Sequence, residues 1–180
     1  MPRCRVWLSV LATMVGLAAA AAAPSAATPA GVAAPVSLDA LDTGVIQQVN
    51  VIRRQHGLPS VKLNQSLAEA ASSHSDEMAS DGYFDHASFD GTAFWKRIGR
   101  WYGQGGYTFW SVGENLLWSS PETDAPQALR LWMASKPHRA NILNPAWREV
   151  GVSAVHTDQG PGVYGGDPAT IITVDFGVRH

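Results

Sequence analysis

Along most of the chain apolar residues recur at steps of three and four, and only near its end do they alternate. Leu38, Leu41, Val45, Val49 and Ile52 make the first stripe, which predicts a helix closing at His56-Gly57, with Gly57 as its left-handed cap and Pro59 beyond. Asn50 and Arg53 in that helix read as polar residues that support the fold, and His56 as an exposed C-terminal residue favoured by the dipole. Leu67, Ala71, His74 and Met78 make a second stripe, ending near Ser80-Asp81-Gly82, with Ser66 and Glu69 at capping-box spacing. On it, His74 reads as a hydrogen-bonded core histidine, while Asp76 and Glu77 point away as a solvated face. A further short helix is expected over Thr92 to Arg100.

The third strong stripe, Leu129, Trp132 and Met133, predicts a helix from Pro126 to Ser135, capped by Asp124 with Gln127 three residues on. Pro137 ends that helix and suits the first turn of a new one running through Ile142 to Asn144-Pro145. His138 then lies in a first turn, where the dipole disfavours imidazolium and leaves a neutral ring able to bind a metal or accept a proton. Val150–Val155 and Thr170–Phe176 are β-branched, partly alternating and separated by Gly/Pro turns, which predicts paired antiparallel strands. Helices first and strands last place the chain in the α+β class.

Between Phe94 and Trp118 the pattern dissolves into aromatics and glycines: Phe94, Trp95, Trp101, Tyr102, Tyr107, Phe109, Trp110 and Trp118 among Gly99, Gly103, Gly105 and Gly106. Two readings stay open for it, a stacking wall for a sugar or apolar ligand, and core and rim packing in a loop-rich region.

Composition changes the picture at the N-terminus. Arg3 and Arg5 precede an apolar run from Val6 to Leu17, then alanines and Pro24-Ser25-Ala26-Ala27, so residues 1–27 read as a secretory signal peptide rather than a membrane anchor, the run being short of a span. Cys4 precedes the apolar core, which argues against a lipoprotein cysteine. Residues 28–37, rich in alanine and proline, read as a disordered lead-in. The expected product is secreted or periplasmic, without cysteine, held by packing alone or with a metal, and monomeric, with no membrane span after cleavage. Without Arg3 and Arg5, 11 Lys and Arg stand against 15 Asp and Glu, a formal charge of −4 with no basic run, so nucleic acid is not an expected partner.

Three segments carry candidate chemistry: Phe84-Asp85-His86-Ala87-Ser88-Phe89-Asp90-Gly91, Gly113-Glu114-Asn115-Leu116, and Trp132 through Leu143 with Ser135 and His138. Their order and spacing, from about Ile46 to Gly177, resemble the CAP superfamily of cysteine-rich secretory, antigen 5 and pathogenesis-related 1 proteins (the SCP domain), in its disulfide-free bacterial branch. The resemblance implies an α-β-α sandwich over residues 38–180, with a central, largely antiparallel sheet between helical layers. It also implies a cleft in which His86 and His138 hold the family's histidine positions and Glu114 one acidic position, lined by Ser135 and Asn115. Ser135 stands where eukaryotic members carry a second acid.

Two imidazoles and a carboxylate suit Zn²⁺ or another divalent metal with an open coordination position. The expectation is a binding module without turnover, acting on a lipid, cell-envelope or protein ligand. The alternative is a hydrolase of peptide, ester or peptidoglycan bonds, with Glu114 as base for a metal-bound water. A serine mechanism through Ser135, His138 and Glu114 has no Gly-x-Ser-x-Gly elbow, and Ser135 reads more simply as a helix-end hydrogen bonder. His156 and His180 carry no assigned role.

Overall fold

The computed structural model describes residues 38–180, so the leader and the lead-in lie outside the described residues. Helix α1 (Leu38–Gln55) buries Leu41, Val45 and Val49. It closes as its sequence predicts: Gly57 has φ +70°, and the N–H of Leu58 reaches back to the Arg53 carbonyl at 2.9 Å. Asn50 clamps Val61 through both its amide atoms, at 2.8 and 3.0 Å. Arg53, wholly buried, donates to the carbonyls of Pro59, Ile142 and Asn144 at 2.7 to 2.9 Å and to that of Trp147 at 3.3 Å. Both supporting roles are therefore realised, and Arg53 ties α1 to a segment some ninety residues away.

After a two-residue strand β1 (Lys62–Leu63) comes α2 (Gln65–Asp81). Its N-cap is Asn64, whose side chain accepts the Leu67 N–H, and not Ser66, which lies inside the first turn. Asparagine caps as well as serine does, and it sits one position before the first helical residue, so the capping-box spacing pointed two residues too far along. Short helix α3 (Phe94–Ile98) is followed by strand β2 (Trp110–Ser119), then α4 (Ala125–Ala134), α5 (Lys136–Ile142), β3 (Glu149–Thr157) and β4 (Ala169–Arg179).

β2 is the main departure from the sequence reading, which expected strands only late and a loop here. Its ten residues pair with β4 over the full length, Trp110 opposite Arg179 and Ser119 opposite Thr170. The sheet order is β1-β3-β4-β2, antiparallel except for β1 beside β3, and β2 lies at its edge. The period-2 geometry of strands sends alternate side chains to two layers. Val150, Val152, Ile172, Val174 and Phe176 pack with α1 and α4, including Trp132. Toward α2, Met78 clusters with Leu116 and Ile171, and the Ser75 hydroxyl is hydrogen-bonded with Thr173 Oγ1 at 2.8 Å and lies 3.1 Å from the Ser153 carbonyl oxygen. The α-β-α layering is thus present, with α1, α4 and α5 against one face and α2 and α3 against the other.

Gly151 sets how near α2 comes. A Cβ there would lie 2.1 Å from both the Ala68 nitrogen and the Leu67 carbonyl carbon, so only glycine lets helix and strand backbones meet. Gly151→Ala should destabilise by roughly 3 kcal/mol or more, read from urea unfolding, because rigid backbone has to give way; a loss under about 1 kcal/mol would mean the two backbones are not in contact. Asp42 supplies a pH test. Its carboxylate accepts the Ala154 N–H at 2.7 Å, yet burial, with Asp39 nearby, pushes its carboxyl up to about 7 despite that bond. An unfolded aspartate titrates near 3.9, so between about pH 4 and 7 the unfolded chain sheds this proton first and stability falls as pH rises. Asp42→Asn keeps the acceptor and cannot ionise. Its urea midpoint relative to the parent should climb from pH 4 to pH 8, and a flat difference would refute the raised carboxyl.

Candidate functional site

The loop from Gly82 to Ala93 is built by α2. His74, wholly buried, holds the Asp85 carbonyl with Nε2 at 2.9 Å, so that nitrogen carries the proton, and burial keeps the ring below its ordinary pKa. This is the core histidine the sequence predicts. Glu77 is not a solvated face: it accepts the Tyr83 hydroxyl at 2.5 Å and the Phe89 N–H at 3.3 Å. Asp76 alone of that pair faces water. Anchored by these groups, the loop presents His86 with its side chain one-third exposed.

Behind His86 stands Glu114, on the α2 and α3 side of β2, with its side chain 1% exposed. One carboxylate oxygen meets His86 Nδ1 at 2.8 Å and the other is ion-paired with Arg97 of α3, whose second terminal nitrogen donates to the His86 carbonyl at 2.9 Å. Burial pushes the Glu114 carboxyl up, but the His86 bond and the Arg97 charge outweigh it and leave it below its ordinary value. An ionised carboxylate can only accept, so His86 Nδ1 carries a proton, and Nε2 is the ring nitrogen left outside that bond. Both Glu114 oxygens are therefore engaged, and the structure sets Glu114 behind His86 rather than beside it as a further ligand.

Directly across the ladder from Glu114 lies Asp175 of β4. It is wholly buried and meets no donor among the described residues; the group it faces is the Glu114 carboxylate, to which a protonated Asp175 can donate. Burial, reinforced by the Glu114 charge, pushes its carboxyl well above the usual range, which favours the neutral acid. Sequence reasoning passed over both Asp175 and Arg97. For Asp175 the available signal was a lone acid in a β-branched strand, Thr170-Ile171-Ile172-Thr173-Val174-Asp175-Phe176; for Arg97 there was none.

His138 comes from the other layer. Ser135 closes α4 and opens α5 in one residue, in an extended conformation, so no loop separates the two helices. The Asp124 cap of α4 is seen, its carboxylate accepting the Gln127 N–H at 2.7 Å. Ser135 makes no side-chain capping bond; its backbone alone serves both helix ends, which corrects the hydroxyl role expected of it. Asn115, 1% exposed, points to the α5 side of β2 and donates to the His138 carbonyl at 3.2 Å while accepting from Asn141 at 3.0 Å. It positions the helix carrying His138 rather than lining an open surface. Gly113 is a close-approach glycine: a Cβ would fall 2.6 Å from Asn141 Oδ1 and 2.8 Å from the Trp147 ring.

The His138 pKa is lowered as expected but for another reason, burial first and the nearby His86 second rather than the helix dipole. His86 comes from the loop on the α2 side of β2, and His138 from α5 on the other side. Among the described residues no group of three His, Cys, Asp or Glu side chains is arranged to hold a metal ion. What the cleft offers is two rings, with His86 oriented by a carboxylate.

The cysteine-rich secretory protein (CAP) family profile matches residues 46–176, which contain all of these groups. YkwD of Bacillus subtilis is 28% identical over 124 residues, 69% of this chain, and the membrane protein YlbC of the same organism is 32% identical over 108 residues, 60% of this chain. This chain spans 46% and 30% of those two proteins, under half of either. An extracellular SCP-domain protein of Bacillus anthracis superposes with TM-score 0.56 at 30% identity, covering 80% of this chain and 44% of that one. An outer surface protein of Borrelia burgdorferi shares the fold, with TM-score 0.63 at 17% identity over 76% of this chain and 90% of its own. With the motif order, the layered sheet and the profile match in agreement, the chain belongs to the cysteine-rich secretory protein (CAP) family.

Proposed function

We propose that this chain is an exported, non-catalytic CAP module whose cleft binds a divalent cation through Nε2 of His86 and the ring of His138. The observation that carries the reading is the Glu114 carboxylate holding the Nδ1 proton of His86 at 2.8 Å. A carboxylate behind an imidazole fixes the tautomer and raises the ring's basicity, the support that metal-binding histidines commonly have. His138, with its pKa lowered, keeps a neutral ring for the same use. A bound cation would supply an electrophilic anchor for an anionic group of a lipid, envelope or protein ligand.

The same geometry weighs against the hydrolase reading. A general base has to reach the water whose proton it takes. Glu114 is sealed from solvent, held below its ordinary pKa and engaged at both oxygens. Ser135 has no hydrogen-bonded base.

Export is supported by the apolar leader, which lies outside the described residues, and by the extracellular description of the Bacillus anthracis relative. No helix among the described residues is long and apolar enough to cross a membrane. YlbC is described as a membrane protein, so its related segment belongs to a longer membrane-associated chain.

Zinc titrated calorimetrically into untagged protein should bind at one site. His86→Ala and His138→Ala should each abolish the heat, whereas Glu114→Gln should weaken binding about 10- to 100-fold without abolishing it. Equal heats in the parent and both alanine variants would refute the metal cleft. Turnover of an ester or peptidoglycan substrate that vanishes in Glu114→Gln would replace this reading with the hydrolase.

A further inference from the structure

α3 has a second face, directed away from the cleft. While Arg97 and Ile98 turn inward and are buried, Trp95 and Lys96 stay exposed beside the loop that leads to β2. There a shallow, open groove of about 350 Å³ lies between Trp95 and Trp110. The Trp110 ring is fixed in place, half-buried, its indole N–H donating to the Tyr102 carbonyl at 2.6 Å. Trp95 is 39% exposed, a large aromatic left open to water. The floor between them is kept low by Gly99 and Gly103. A Cβ on Gly99 would lie 3.9 Å from the Trp110 ring, and one on Gly103 only 3.0 Å from the Gly99 carbonyl.

The charge of this groove is opposite to that of the chain. Lys96 and Arg100 line it with the amide of Gln104 and no acidic side chain lines it, although Arg100 lies near enough to the exposed Asp90 to lower that carboxyl. Lys96 Nζ lies 5.3 Å from the centre of the Trp95 ring, so cation and indole share one wall. None of these side chains belongs to the His86, Glu114 and His138 cluster.

We infer that this groove is a binding site for an acidic saccharide, its sugar rings lying against Trp95 and Trp110 and its carboxylate or phosphate meeting Lys96 and Arg100. Flat indole faces suit the C–H faces of pyranose rings, and a paired ammonium and guanidinium select an ionised substituent. Two cations in one short groove on a net-acidic chain suit a short ligand; a nucleic-acid strand needs a basic track along its backbone. The site stands independently of the metal cleft.

The test uses the full chain, titrated by calorimetry and by the indole N–H resonances, with tetragalacturonate as a carboxylate sugar and pentamannosyl phosphate as a phosphate sugar. Cellotetraose is the neutral control and a thymidine oligonucleotide the nucleic-acid control. One or both acidic sugars should bind about tenfold or more tightly than cellotetraose and shift the Trp95 and Trp110 resonances. The sugar that binds identifies the substituent. Trp95→Ala, at an exposed position, should weaken binding about tenfold, and Lys96→Gln with Arg100→Gln should erase the preference over cellotetraose. Zinc titration of Trp95→Ala should match the parent, which separates a lost groove from a lost cleft or a lost fold. No binding of either acidic sugar, equal affinity in Trp95→Ala, or binding of the oligonucleotide alone would overturn the site.

Discussion

The buried ion pair between Arg97 and Glu114 is the interaction on which the arrangement of the cleft depends. Taking two charges out of water costs several kcal/mol each, and such a pair is tolerable only when further hydrogen bonds complete it. Here the completing bonds come from His86, its ring on one carboxylate oxygen and its carbonyl on the guanidinium, while Arg97 Nε is left without a partner among the described residues. Removing either charge strands the other in the interior, an effect of about 3 to 5 kcal/mol in comparable cases. The pair also explains Asp175. With one negative charge already fixed across the ladder, a second carboxylate facing it cannot ionise cheaply, so the interior accepts one acid as a charge and the other as a neutral group.

Position in the sheet does the rest. The side chains of β2 alternate between the two helical layers, and as an edge strand it has no further strand beyond it among the described residues. Glu114 and Asn115 are neighbours in sequence and point to opposite faces, one toward the loop bearing His86 and the other toward the helix bearing His138. A one-residue step along a single strand thus serves groups that lie 52 positions apart.

The parts legible in the sequence were those where period and punctuation agree. α1 and α4 have unbroken apolar stripes with a glycine or aspartate at the right end, and β3 and β4 have β-branched runs bounded by glycine and proline. β2 was not legible, because one of its faces holds Glu114 between Val112 and Leu116 while the other holds Gly113 and Asn115. A strand whose polar residues are needed inside shows no alternation, and its glycine is explained only by Asn141 and Trp147, far along the chain. The three motif segments were readable and their convergence is real for His86 and Glu114. What sequence could not convey is that Glu114 has a cationic partner of its own: nothing local to Phe94-Trp95-Lys96-Arg97-Ile98 says which of its two cations turns inward. Glu77 was misjudged for a similar reason, since its partners Tyr83 and Phe89 lie beyond the end of its helix.

The junction at Ser135 has a mechanical meaning. With one extended residue between α4 and α5, and with the far end of α5 tied to α1 through Arg53, the short segment bearing His138 is a strut fixed at both ends. Trp132, fully interior, holds the near end by donating its indole N–H to the Leu116 carbonyl of β2. Any change in the separation of the two rings then falls to the loop bearing His86, and is limited by how stiffly Glu77 and His74 hold that loop in place.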